Sequence, residues 1–76
     1  MSIYDLRKND VGVITGFRGG REFKMRLSSL GVVKGAKFKL KAVTIQRNTF
    51  EIEINNSMIA LRRGEAMKIE VEKCPG

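Results

Sequence analysis

The chain has 76 residues, with 15 Lys and Arg against 8 Asp and Glu, a formal net charge of +7 and no histidine. That length suits one domain, spanning residues 1–76, whose small core buries only ~60% of the surface the unfolded chain exposes. The missing histidine removes the usual general base and the commonest metal ligand, and Cys74 alone supports neither a disulfide nor a CxxC metal site.

No apolar run approaches the ~20 residues that span a bilayer, and the start, Met1 to Asp5, lacks a basic region followed by an apolar stretch. A soluble, cytoplasmic protein is the expectation. The first element is a strand over Val11 to Phe17, loosened by Gly12 and Gly16 and ended by Gly19-Gly20. Phe23, Leu27 and Leu30 then recur at i, i+4 and i+7, the apolar face of a short helix from about Arg21 to Leu30, with Gly31 as its stop. A turn through Lys34-Gly35 leads out.

Phe38, Leu40, Ala42 and Thr44 alternate with polar residues, as do Phe50, Ile52 and Ile54. Facing both apolar sets to the core pairs Leu40 with Ile54, Ala42 with Ile52 and Thr44 with Phe50, and sets Lys41 opposite Glu53. The connecting loop is then Gln46-Arg47-Asn48, with asparagine at the left-handed position. Asn55-Asn56 suits a type I′ turn and pairs Ile52 with Ile59 and Phe50 with Leu61. One helical turn at Arg63-Gly64-Glu65-Ala66 precedes a last strand through Met67, Ile69 and Val71, and Pro75-Gly76 is a frayed end. The sum is a mainly β protein: a small, partly open, five-stranded barrel of the SH3-like kind. It carries a short helix in its first long loop and one helical turn before its last strand.

This chemistry points to binding and not to catalysis. Gly19-Gly20-Arg21 lacks the P-loop ending, and Glu51 and Glu53 lie on a wet strand face beside lysines. No catalytic residue, metal ligand set or cofactor is expected. The candidate contact residues are Lys24, Met25 and Arg26 on the exposed helix face, Met58 on the outward face of the second hairpin, and Arg62 and Arg63 beside it. Ile14 and Ala60 join Met58 in an expected exposed apolar patch. An uncovered strand edge offers a route to a homodimer. Lys37, Lys39 and Lys41 form a basic stripe, read as the guard of a sheet edge. The charge keeps a nucleic-acid-binding barrel as an alternative, although only Tyr4 among the aromatics falls outside the core phase, too little for base stacking. A weak metal-binding or metal-sensing protein is the other alternative.

Two segments go beyond generic pattern. Arg26-Leu27-Ser28-Ser29-Leu30-Gly31-Val32-Val33-Lys34-Gly35 and Ile59-Ala60-Leu61-Arg62-Arg63-Gly64-Glu65-Ala66-Met67-Lys68-Ile69-Glu70-Val71 together resemble the FeoA family of bacterial ferrous iron transport proteins. The resemblance runs from Leu6 to Val71. This chain has Lys34 where the family commonly has proline, and Asn9-Asp10 where it commonly has Pro-Gly. The resemblance implies an SH3-like barrel and a cytoplasmic accessory role in ferrous iron uptake. Its implied partner is the membrane transporter of that system, which carries a cytoplasmic GTP-binding domain. The motif residues also have a structural account: Leu27, Leu30 and Leu61 as core, Gly31 and Gly35 as turn positions, Glu65 and Ala66 in the tight helical turn. The same domain type occurs attached to metal-dependent repressors, so fold alone does not fix function.

Overall fold

The computed structural model describes residues 1–74; the expected frayed end, Pro75-Gly76, lies outside the described residues. The elements are β1 (Val11–Phe17), α1 (Arg21–Ser29), β2 (Lys37–Val43), β3 (Thr49–Ile54), β4 (Ser57–Arg62), α2 (Arg63–Met67) and β5 (Ile69–Lys73). All five strands form one antiparallel sheet in the order β4-β3-β2-β1-β5. This is the expected SH3-like architecture, with its helix in the first long loop and its helical turn before β5.

The sheet curls without closing, since β4 and β5 are its two edges. Helix α1 lies along the gap. It meets α2 and its C-cap, where Arg26 pairs with Glu65 and the Lys68 ammonium sits 5.6 Å from the Phe23 ring centroid. Its far end reaches the β3–β4 turn: a Cβ placed on Gly31 would lie 3.5 Å from Asn55 Nδ2. The other edge is capped by the N-terminus, where Met1 O accepts from Val71 N–H at 2.9 Å and Ser2 bridges Glu70. The N-terminus thus covers part of the β5 edge.

The end of α1 is set by hydrogen bonds. Val32 N–H donates to Leu27 O at 2.9 Å and Gly31 N–H to Ser28 O at 3.0 Å, a Schellman stop that needs Gly31 at φ +87°. This corrects the reading of Leu30 as core. Leu30 is the C-cap and is 47% exposed, while Val32, two residues past the cap, is buried beside Leu27. Gly35 takes φ +90° in a turn closed by Ala36 N–H to Val33 O at 3.1 Å, which leaves Lys34 exposed at the position before it. Leu27, Leu61 and Ala66 are core, as read.

Two bulges correct the strand phasing. In β1 the register slips between Ile14, opposite Val71, and Gly16, opposite Glu70. A bulge reverses which side residues face, so Ile14 and Phe17 both turn inward although three apart. Ile14 is buried, and the expected exposed patch with Met58 and Ala60 loses it. In β2 the slip falls at Lys41. Phe38 opposes Ile54 and Leu40 opposes Ile52, whereas Val43 opposes Phe50. The expected pairing of Leu40 with Ile54 is two residues out, and Lys39, not Lys41, faces Glu53. The β2–β3 loop is correspondingly longer: Thr44 N–H donates to Thr49 O at 3.1 Å, Arg47 N–H to Thr44 O at 2.8 Å, and Arg47 rather than Asn48 adopts the left-handed conformation, at φ +57°. The β3–β4 hairpin pairs as read, with Asn55 and Asn56 at φ +51° and +65°.

The sequence reading overlooked a 3-10 turn at Ile3–Asp5, in which Ser2 N–H donates to Asp5 Oδ2 at 2.8 Å. It buries Ile3, and Leu6 follows it into the core. The following turn centres on Lys8-Asn9, with Asn9 at φ +78° and Asp10 N–H donating to Arg7 O at 3.0 Å.

Candidate partner-binding surface

Only Leu27 of α1 is fully buried, with Phe23 half-buried beside it, so the helix offers a broad outer face. Met25 is 61% exposed on that face, flanked by exposed Lys24 and Arg26. Leu30 and Val33 extend the exposed apolar groups past the helix end. Arg26 is not a free cation: its guanidinium pairs with Glu65 of α2, and Glu65 also accepts from Arg62 N–H at 2.9 Å. A single carboxylate thereby caps α2 and ties α1 to it.

Arg62 is exposed at the N-cap of α2. Arg63, one residue on, turns back over the β2–β3 loop. Its guanidinium donates to Gln46 O at 2.9 Å, Arg47 O at 3.2 Å and Asn48 Oδ1 at 2.6 Å. This is the role of a loop clamp, and it commits Arg63 Nε and Nη2 within the fold. Arg26, Arg62 and Arg63 thus lie at or against α2, while Lys24 and Met25 stand on the exposed face of α1. Met58 stands apart, 53% exposed opposite Glu53 and four residues from Arg62, roughly 13 Å along β4.

The lysine stripe sits elsewhere again. Lys37 opposes Val13, and Lys39 lies between Val11 and Glu53, on a strand with neighbours on both sides. Strand β2 is the middle of the sheet, so the stripe guards no edge. Tyr4 is also committed. Its ring lies 5.6 Å from that of Phe50, and the Arg47 guanidinium covers it at 4.9 Å from the centroid. Among the described residues, no three of His, Cys, Asp and Glu gather as a cation site. No helix among them is long and apolar enough to cross a membrane.

Asp10 is electrostatically perturbed. Its carboxyl is held below the ordinary value of 3.8, first by the hydrogen bond from Arg7 N–H at 2.8 Å and then by Lys73, whose Nζ is 3.4 Å away. The pair links the turn before β1 to the end of β5.

One exposed group escaped the sequence reading. Ile45, in the β2–β3 loop, is 102% exposed and borders a shallow concavity with Thr44, Gln46, Asn48 and Thr49. The only signal for it was its position: a β-branched apolar residue just past the last alternating residue, inside a stretch of turn formers.

A family model described as the FeoA domain matches residues 1–73. A curated protein of Campylobacter jejuni, named as an Fe(2+) transport protein A, is 30% identical over 71 residues, covering 93% of this chain and 96% of that protein. The solution structure of the FeoA protein from Chlorobium tepidum is 29% identical, covers 100% of this chain and 72% of that one, and superposes with a TM-score of 0.92. A manganese-dependent transcriptional repressor, in complex with manganese, matches 97% of this chain with 36% of its own at a TM-score of 0.88. At 14% identity that likeness shows the fold alone.

Proposed function

This chain belongs to the FeoA family, and on that premise we propose that it is a non-enzymatic, cytoplasmic accessory protein of ferrous iron uptake. In this reading it binds the membrane ferrous iron transporter through that protein's cytoplasmic GTP-binding domain and modulates it. The observation that carries the reading is the match of residues 1–73 to the FeoA domain, joined by a relative named for Fe(2+) transport of which this chain covers 96%. The surface chemistry supports a docking role. A net charge of +7 and a helix presenting exposed Met25 beside exposed Lys24 suit an acidic protein face.

The test is binding to the intact transporter of the same bacterium, held in detergent. Met25→Glu and Lys24→Glu, both exposed, are expected to weaken capture while leaving the melting temperature unchanged. Equal capture of both variants would remove α1 from the contact. Failure of the native chain to bind would remove the transporter.

A further inference from the structure

We infer that the β2–β3 loop is a preformed docking tip, whose Ile45 side chain inserts into an apolar pocket rimmed by carboxylates on the transporter's cytoplasmic face. The inference rests on the functional reading above and adds to it the surface and chemistry of contact.

The first observation is that Ile45 projects from a braced loop. Its side chain is fully exposed, yet the backbone on both sides is fixed. Thr44 Oγ1 accepts from Asn48 N–H at 3.0 Å and Thr49 N–H at 3.1 Å, and Thr44 O accepts from Arg47 N–H at 2.8 Å. Arg63 holds the loop from α2 by three hydrogen bonds, to Gln46, Arg47 and Asn48. Arg47 anchors it to the N-terminal turn, donating to the carbonyl oxygens of Tyr4 and Leu6 and covering the Tyr4 and Phe50 rings. None of these bonds uses Ile45. The loop is ordered around a residue that contributes nothing to the ordering.

Such a braced tip loses little freedom on binding. The backbone is already fixed, and a β-branched side chain has few rotamers to lose. Isoleucine offers its whole apolar surface, so filling a pocket is the interaction it can supply.

Charge selects the occupant. Arg47 and Arg63 brace the base of the loop, Arg62 lies opposite Thr49 across the hairpin, and Arg7 follows the Leu6 carbonyl that Arg47 binds. The nearby carboxylates are partly spent: Asp5 accepts from Ser2 N–H, and Glu65 from Arg62 N–H and Arg26. Glu51, on the strand between, stands opposite Ala42 and Ala60. A second copy would bring a chain of the same +7 net charge, which disfavours self-association. Nucleic acid would gain little from a lone isoleucine where the nearby aromatic, Tyr4, is packed against Phe50.

The experiment measures affinity of the full chain for the intact transporter in lipid nanodiscs, comparing the native chain with Ile45→Ala, Ile45→Asp and Ile45→Val. Ile45→Ala is expected to weaken binding by about tenfold to a hundredfold, the range for losing one buried aliphatic side chain. Ile45→Asp should weaken it further, and Ile45→Val only a few-fold, with thermal unfolding unchanged in all three. Equal affinity of the native chain and Ile45→Asp overturns the inference and leaves the functional reading standing. No binding by the native chain overturns both. Self-association of the native chain abolished by Ile45→Asp, or loss of mixed-sequence RNA binding without loss of transporter binding, also overturns it.

Discussion

Glu65 binds Arg26 across the 39 positions that separate them in sequence, joining α1 to α2 at the point where the two motif segments meet. The same carboxylate accepts the Arg62 N–H that opens α2. The Arg26-Leu27 and Glu65-Ala66 stretches are thus two halves of one junction. Ala66 beside it is fully buried, which leaves no room for a larger side chain there.

Replacing Glu65 separates its two tasks. Glu65→Ala removes both the cap and the ion pair and is expected to cost about 1 kcal/mol, most of it from the cap. Glu65→Gln keeps a side-chain oxygen for Arg62 N–H and should cost less than half of that, because an ion pair whose arginine is half exposed contributes little. In a chain of this size ~1 kcal/mol is a fall of about 4–8 °C in melting temperature, readable by circular dichroism. Equal losses for the two variants would place the stabilisation in the charge.

Arg47 pins the loop to the N-terminal turn through two carbonyl oxygens while sitting at φ +57°. Arg47→Ala is expected to cost about 1–2 kcal/mol, since it removes both donors and keeps the strained backbone. Arg47→Gly should recover about 1 kcal/mol of that by relieving the left-handed conformation. Arg47→Lys should fall between the native chain and alanine, because an ammonium can still donate to the carbonyls but cannot stack flat over Tyr4 and Phe50 as the guanidinium does. Urea titration of the three variants gives the order directly. A lysine variant as stable as the native chain would show that charge alone suffices.

Legibility in the sequence followed the regularity of the backbone. The β3–β4 hairpin was readable because two asparagines fix the turn and the period of two runs unbroken to Leu61. The same logic failed in β1 and β2 because bulges at Ile14/Gly16 and Leu40/Ala42 reverse the facing of the residues beyond them. A bulge leaves no clear mark in an alternating pattern. Leu30 was misplaced for a related reason: the helical period continues on paper, but the Schellman stop at Gly31 hands the core position to Val32. The N-terminal turn was missed because Ile3 and Leu6 show no period of their own; they are buried by tertiary packing, under Arg47 and against α2. Of the candidate contact residues, Met25 and Met58 are exposed as read, whereas the roles of Arg26 and Arg63 depend on partners 39 and 15–17 residues away that no local pattern announces.

The turn at Val33–Ala36 offers a stabilising change. Its hydrogen bond, Ala36 N–H to Val33 O at 3.1 Å, and Gly35 at φ +90° are those of a type II turn, in which the position held by exposed Lys34 favours proline. Lys34→Pro is expected to raise stability by about 0.5–1 kcal/mol by restricting the unfolded chain. Gly35→Ala at the next position should destabilise, because an L side chain at that φ is strained. Calorimetry on the pair, one rising and one falling, checks the turn type; a fall for both would exclude it.

Asp10 predicts how the fold responds to acid. Its folded pKa is depressed, mainly by the Arg7 N–H bond and further by Lys73. A group with a lowered folded pKa binds fewer protons folded than unfolded around its titration, so its contribution is full above the unfolded value and is lost as pH falls through the folded one. The stability gap between the native chain and Asp10→Asn is therefore expected to be constant from pH 7 down to about pH 5 and to shrink steadily toward pH 2. Asparagine keeps an oxygen for Arg7 N–H but loses the attraction to Lys73, so Lys73→Met should show the same acid-dependent convergence at smaller amplitude. Because both charges are partly exposed, 0.5 M salt should reduce the Lys73 part and leave the Arg7 part. Urea denaturation of the three proteins across pH 2–7 reads these differences, and a gap that stays level to pH 2 would show that the carboxylate does nothing for the junction of β1 and β5.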